Sequence, residues 1–364
     1  MGTGFSQPVT VATAPEGVLY VGSRGATPWG WNKYVRITKM TFDHEFLGEF
    51  GGGGEEEGKF VWLSSLVVDK DENIYVADEW LNRITVFDKD GNLLKTWGEA
   101  PKGIAPQNWN PAEPASPHKI SLRDDSAGDA EGKLHGPSGM AFDADGNLLI
   151  VNSLNSRIQK FTKDGKYLSG FGNKGNGPGD MDMPWGIAID NAGDVYVTDW
   201  NNYRVQKFSP EGDHLLTFGS GERTGVAPDG STPYAHVTEA RVPVSLNSLN
   251  HPTGVAVDGD GDVYVADWMN NRLVIFDADS RPISVIRGDA HGLQKWTEMT
   301  MSINPEAVKA RRQAENPEIE RYLRMPTSCV FDQSNNKLII TDTWRNRLQV
   351  YEKDYNYSDP RINI

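Results

Sequence analysis

Residues 183–219 read MPWGIAIDNAGDVYVTDWNNYRVQKFSPEGDHLLTFG, and residues 250–288 read NHPTGVAVDGDGDVYVADWMNNRLVIFDADSRPISVIRG. One segment copies the other, and the copying extends outward. Residues 135–172 (HGPSGMAFDADGNLLIVNSLNSRIQKFTKDGKYLSGFG) and 62–98 (WLSSLVVDKDENIYVADEWLNRITVFDKDGNLLKTWG) continue it toward the N-terminus. A shortened copy, MPTSCVFDQSNNKLIITDTWRNRLQVYEKD, occupies 325–354, and a divergent one lies within 7–51. Each unit holds four short apolar runs, called a to d here, separated by Asp/Gly turns. In the copy at 250–288 they are GVAVD, DVYVAD, RLVIF and PISVI. One such unit cannot bury both of its faces, so the copies must pack on one another. Units of about 40 residues with four strands close radially, which also protects sheet edges. The expected fold is all-β: a single six-bladed propeller domain with blades at 7–51, 62–98, 135–172, 183–219, 250–288 and 325–364.

A chain of 364 residues would ordinarily suggest two or three domains, but the surplus length lies in three insertions, 100–133, 222–248 and 289–323. With 38 glycines and 21 prolines, the composition is that of a turn-rich chain. The 36 basic and 50 acidic residues leave a net charge of −14, which repels phosphate backbones and argues against a nucleic-acid partner. No apolar run approaches the roughly 20 residues of a membrane span, and MGTGFSQPVTVATAPEG has no signal-peptide pattern. A cytoplasmic protein without a membrane partner is expected. The single cysteine, Cys329, excludes an internal disulfide and a Cys-rich metal site.

Because successive strands alternate in direction, the b–c loops and d–a connections emerge on one face. All three insertions and an excursion from Arg24 to Tyr34 belong there. Loops of that length are lids or binding loops when they are ordered, and a partial cover over the central mouth is expected. The third insertion carries two helix starts, Asn304-Pro305-Glu306 and Asn316-Pro317-Glu318.

Residues present in every blade read as scaffold, and departures from the repeat are informative. An Asp and an Arg five residues apart recur as Asp78/Arg83, Asp199/Arg204, Asp267/Arg272 and Asp342/Arg347. They suit a bidentate brace across the b–c loop. Blade three carries Asn152 opposite Arg157, and blade one runs Ser23-Arg24-Gly25 into Pro28-Trp29-Gly30-Trp31. The residues preceding strand a are Gln7, Trp62, Gly136, Met183, His251 and Met325, and a step further on come Val9, Ser64, Ser138, Trp185, Thr253 and Thr327. That ring mixes aromatic and polar groups as a small-molecule pocket does. Trp80, Trp200, Trp268 and Trp344 recur in the b–c loops and read as packing between blades. Five of the seven histidines (His118, His135, His236, His251, His291) map to the elaborated face. Two of them, His135 and His251, precede strand a in alternate blades. Two histidines fall short of a catalytic zinc site, so packing, acid–base and metal roles stay open. The candidate catalytic residues are Arg24, His135 and His251. Trp29, Trp31, Trp62, Asn152, Trp185, His236 and His291 are candidates for contacting a substrate. No clear metal-ligand set is present, and a divalent metal is left open.

The motif VYVAD-x-x-x-x-R-V-x-x-F and the P-x-G before strand a resemble the NHL repeat family in all six copies, which implies a six-bladed β-propeller. The blade pattern is also similar to that of the peptidyl-α-hydroxyglycine α-amidating lyases. Leu19-Tyr20-Val21-Gly22-Ser23-Arg24-Gly25 with its aromatic excursion resembles the segment carrying that family's active-site arginine, which implies a site role for Arg24. The family's zinc histidines would fall at Ser64, Trp185 and Thr327, and its catalytic tyrosine at Leu154. Those departures set the amidating reaction aside. The expected function is an intracellular lyase or hydrolase acting on a small carboxylate- or carbonyl-bearing molecule at the central mouth. Arg24 would anchor it, His135 or His251 would move protons, and Trp29, Trp62 and Trp185 would wall the pocket. The alternative is a non-catalytic propeller that recognises a protein or a small ligand.

Overall fold

The computed structural model describes residues 4–25, 34–98, 128–221, 245–290, 304–313 and 320–354. Six antiparallel sheets follow one another in chain order, each with its strands in sequence order. Their innermost strands are Pro8–Ala14, Leu63–Val68, Pro137–Phe142, Pro184–Ile189, Pro252–Val257 and Cys329–Asp332. Five sheets have four strands, and blade six has three. The continuation expected for its fourth strand lies outside the described residues.

The apolar patterning explains the stacking. In blades two to five strand b is buried along its whole length, as in Ile74–Asp78 and Val263–Asp267. Successive side chains leave opposite faces of a strand, so Ile74 and Val76 join the core against blade one while Tyr75 and Ala77 join the core against blade three. The same division yields six apolar clusters, one for each junction. The sixth packs Val11, Leu19 and Val21 of blade one against Ile339 of blade six, closing the ring. Near the axis the glycine of P-x-G lets neighbouring backbones meet: a Cβ on Gly186 would lie 2.3 Å from the carbonyl oxygen of Thr253.

The b–c loops are fastened by arginine, and the geometry departs from a simple bidentate brace. Arg204, Arg272 and Arg347 each donate through Nε to one oxygen of Asp199, Asp267 and Asp342, at 2.9, 2.7 and 2.7 Å. The other carboxylate oxygen accepts a backbone N–H from the segment before strand a, as Asp267 does from Asn250 at 2.6 Å. Each arginine's Nη2 reaches backbone carbonyls of that same segment, such as Ser245 and Ser248 for Arg272. In blade two Asp78 accepts the Val61, Trp62, Trp80 and Leu81 N–H groups, and Arg83 holds the carbonyls of Glu55, Glu56 and Lys59. Blade one keeps the arginine after all. Arg36 pairs across the strands with Ser23 as Arg83 does with Asp78, and its Nη2 donates to Gly4 O at 2.6 Å. The excursion merely displaces it in sequence.

A helix spans Pro305–Arg312, at the first expected start, with Val308 N–H donating to Asn304 O. The second start and most of the three insertions, with the cover expected from them, lie outside the described residues. Among the described residues no helix is long and apolar enough to cross a membrane.

Candidate functional site

The mouth is organised by one register position, the residue that follows the end of strand b. Counted from Ser23, Asp78, Asn152, Asp199, Asp267 and Asp342, it is Arg24, Glu79, Ser153, Trp200, Trp268 and Thr343. In the first three blades the N–H of this residue donates to the carbonyl before strand a: Arg24 to Gln7, Glu79 to Trp62, Ser153 to Gly136. Arg24 is therefore an additional side chain at the mouth rather than a stray brace arginine, because Arg36 fills that role. The same count separates the loop tryptophans. Trp200 and Trp268 hold the mouth position, whereas Trp80 and Trp344 come one residue later, and Trp344 is exposed.

A belt of hydrogen bonds below this position joins neighbouring innermost strands. Ser64 Oγ donates to Pro137 O at 2.7 Å and Ser138 Oγ to Trp185 O at 2.9 Å. Thr198 Oγ1 reaches Thr253 O at 3.1 Å, Thr253 Oγ1 reaches Pro326 O at 3.2 Å, and Thr327 Oγ1 reaches Val9 O at 3.0 Å. Thr343 Oγ1 adds a bond of 2.7 Å to Pro8 O. Blade one offers Val9 in place of a hydroxyl residue, and Arg24 closes the belt there, its Nε donating to Leu63 O at 2.5 Å. The polar groups expected to face a ligand, Ser64, Ser138, Thr253 and Thr327, thus hold the ring together. Ser64 and Thr327, where the amidating-lyase resemblance would put zinc histidines, are engaged in this belt, and Trp185 offers no ligand atom. The residues present do not fit that metal. Among the described residues no three His, Cys, Asp or Glu side chains converge as a metal site.

Arg24 does three things at once. Besides the bond to Leu63, Nη2 lies 3.5 Å from Glu79 Oε2, and the guanidinium stacks 4.7 Å from the centroid of the Trp62 ring. Both charged side chains are secluded, at 13% and 3% exposure. Burial pushes the Arg24 guanidinium below the usual arginine range, while Glu79 and Asp78 oppose that shift. Nη1 has no hydrogen-bond partner among the described residues. Glu79 was not among the sequence candidates, although counting from the strand-b acid identifies it.

Further round the ring, blades four and five carry an aromatic cluster built on the buried Trp200. Trp200 lies 6.4 Å from Trp185, 6.2 Å from Trp268 and 4.1 Å from the His251 imidazole, centroid to centroid. His251 is also held edge-on by Tyr203 at 4.9 Å, and its Nδ1 lies 2.8 Å from Asn250 Oδ1. Its backbone is left-handed (φ 54), like that of Gln7, Met183 and Met325 at the same register. His135 falls one residue earlier in its blade. Its N–H donates to Asn152 Oδ1, and its ring lies 3.3 Å from Asn155 Oδ1. The two histidines therefore occupy different register positions in blades three and five and are not brought together. Asn152 is fully buried, with its amide donating to Lys133 O, so it completes the blade-three brace and does not contact the mouth. Trp29, Trp31, His236 and His291 lie outside the described residues.

Along the axis the six innermost strands line a channel of about 220 Å³. Cys329 is on its wall, and burial pushes that thiol up to about 12, as for a packed, unreactive sulfhydryl.

The NHL repeat model matches residues 181–208 and 249–276, that is, the first three strands of blades four and five. No curated protein matches the chain. Among solved structures the chain is similar to a structural genomics protein of unknown function from Bacteroides thetaiotaomicron (17% identity, 97% of this chain and 70% of that one, TM-score 0.56). It is also similar to a streptogramin B lyase (14% identity, 97% and 85%, TM-score 0.51). A third similar structure is Kuenenia stuttgartiensis hydrazine synthase (15% identity, 97% of each chain, TM-score 0.51). At these identities the likeness shows the propeller fold alone.

Proposed function

We propose that the mouth binds a small carboxylate- or carbonyl-bearing molecule and that the protein acts on it as a lyase. One observation carries the reading: Arg24 and Glu79, both secluded, lie side by side at the mouth position of adjacent blades. A guanidinium with a donor to spare stabilises oxygen that gains negative charge. A carboxylate beside it is suited to take a proton. In the proposed step, the Glu79 carboxylate removes the proton from the carbon α to the carbonyl. The C–H electron pair forms an enolate whose oxygen accepts from Arg24 Nη1–H. Collapse of the enolate forms a C=C bond and expels the group on the β carbon, which leaves with the proton held by Glu79. Hydrolysis through the same pair would need Glu79 to activate a water.

Capture without turnover is the second reading, favoured by the separation of His135 from His251, which leaves proton transfer to Glu79. Incubation of the protein in D₂O with pyruvate, 2-oxobutyrate, levulinate and propiophenone separates the two. Proton NMR should show loss of the α-proton signal of at least one compound, and Glu79→Gln should abolish it. Exchange no faster than in protein-free buffer for every compound would leave only capture.

A further inference from the structure

Blade six departs from the repeat beside the mouth. In blades three, four and five, the residue one beyond the mouth position donates its N–H to a carbonyl in the segment before strand a. The pairs so joined are Leu154 with His135, Asn201 with Asp182 and Met269 with Asn250, at 3.2, 3.1 and 3.2 Å. The second member of each pair donates its own N–H to Asn152, Asp199 or Asp267. Blade six places Trp344 and Arg324 at these positions. Trp344 N–H donates to Arg324 O at 3.2 Å, and Arg324 N–H to Asp342 Oδ1 at 2.7 Å. Backbone bonds thus fix both residues and leave their side chains for other uses. The Arg324 guanidinium lies 5.4 Å from the centroid of the Trp344 ring. Trp344 is 50% exposed and Arg324 is half-buried, so solvent reaches both.

Other cations stacked on rings among the described residues have a second partner. Lys39 on Tyr20 also donates to Lys89 O. Lys207 on Tyr196 pairs with Asp190 and Asp194, and Lys337 on Phe42 with Glu352. Arg24 on Trp62 holds Leu63 O and Glu79. The Arg324 guanidinium makes no hydrogen bond or ion pair among the described residues. A stacked guanidinium is engaged through its face, so its N–H edge stays open to an acceptor beside the ring. Further positive charge lies close by. Burial pushes Arg345 below the usual arginine range; Asp342 and Glu320 oppose this, while the charges of Arg324 and Arg347 add to it. Asp342 is already engaged by Arg347 Nε and Gln349 Nε2. Arg345 and Glu320 have further contacts of their own, so the open fork is that of Arg324. An anion beside Arg324 relieves the crowding of like charges.

We infer that Arg324 and Trp344 form a second binding site, built from residues other than the Arg24–Glu79 pair, for a small aromatic carboxylate. Its two carboxylate oxygens accept from the guanidinium edge, and its flat body lies along the exposed part of Trp344. The net charge of −14 disfavours a multiply charged partner, which selects carboxylate over phosphate.

Titration of nitrogen-15-labelled protein with benzoate, benzyl alcohol, acetate and phenyl phosphate tests this, followed by NMR at the Trp344 indole N–H. That signal is assigned by its loss in Trp344→Leu. Benzoate should shift it saturably, and at lower concentration than the other three probes. Arg324→Gln should weaken benzoate by about tenfold to a hundredfold, the loss of hydrogen bonds to a charged group. Arg324→Lys should recover part of that loss, because lysine keeps the charge without the fork. Both variants retain the backbone bonds that set the loop, and urea midpoints equal to wild type check this. No benzoate-dependent shift would overturn the inference, as would wild-type benzoate affinity in Arg324→Gln. Benzyl alcohol or acetate binding as tightly as benzoate would do so too, and so would tighter binding of phenyl phosphate. The Trp344 signal reports on blade six, so absence of proton exchange defeats the lyase reading without touching this result.

Discussion

Replacing Arg24 by alanine should open the junction between blades one and two. Three interactions vanish together: the bond to Leu63 O at 2.5 Å, the pair with Glu79 at 3.5 Å and the stack on Trp62 at 4.7 Å. Removing one member of a buried charge pair costs about 3–5 kcal/mol, and Glu79 keeps an interaction besides the one with Arg24. The Glu79 contact is long for a charge-assisted hydrogen bond, so the lower end applies. Loss of the donor to a buried carbonyl adds about 1 kcal/mol. The expected destabilisation is thus about 4 kcal/mol by urea unfolding. Since the Glu79 charge carries most of it, Arg24→Ala with Glu79→Ala should recover about 2 kcal/mol relative to Arg24→Ala alone. Hydrogen exchange adds a local reading: amides in Leu63–Val68 should lose protection while those in Pro252–Val257 keep theirs. An Arg24→Ala protein with the wild-type urea midpoint would refute the reasoning. A double variant less stable than Arg24→Ala would do so equally.

Two further outcomes follow from the braces and turns. In blade five, Asp267→Asn should be milder than Asp267→Ala by about 1–2 kcal/mol in urea midpoint-derived stability, because asparagine keeps the acceptor for Asn250 N–H as Asn152 does for His135 N–H; equal losses would contradict this. On the opposite face, burial acts to raise the Asp69 and Asp143 carboxyls, but Lys163, Lys160 and the turn N–H groups hold both below the ordinary aspartate value. Groups depressed in this way contribute stability that is present above the unfolded-chain value near pH 4 and is lost as pH falls through the lower folded values. The urea midpoint should therefore fall below about pH 4, and Lys163→Ala should reduce that acid-linked loss; an acid response unchanged in the variant would argue against it.

The fold was legible because apolar periodicity and turn chemistry repeat, and repetition averages out local noise. Strand positions such as Ile74–Asp78 and Val263–Asp267 need only the recurring pattern. The site was legible in part. Arg24, Trp62, Trp185 and His251 do stand at the mouth, but their partners depend on loop register to one residue. Trp80 and Trp344 look like Trp200 and Trp268 in sequence yet sit one position later. His135 is offset from His251 in the same way, and a left-handed residue before strand a carries the chain between those positions. The excursion in blade one also hid Arg36 as the brace arginine, which made Arg24 look like its replacement.

Ring closure explains why a site on this scaffold must be lopsided. Every junction needs a donor from one innermost strand, or from the residue beside it, to a carbonyl on the next. Ser64, Ser138, Thr198, Thr253 and Thr327 are used for that purpose. Side chains committed to closure cannot also bind a ligand strongly without loosening the ring. The position after strand b is free of that duty in most blades, so it can vary from Arg24 to Glu79 to Trp200. The two duties meet in blades one and six, where Arg24 bonds Leu63 O and Thr343 bonds Pro8 O from the mouth position. Ligand captured at Arg24 therefore acts directly on the junction between blades one and two, and occupancy should protect the Leu63 strand more than any other innermost strand.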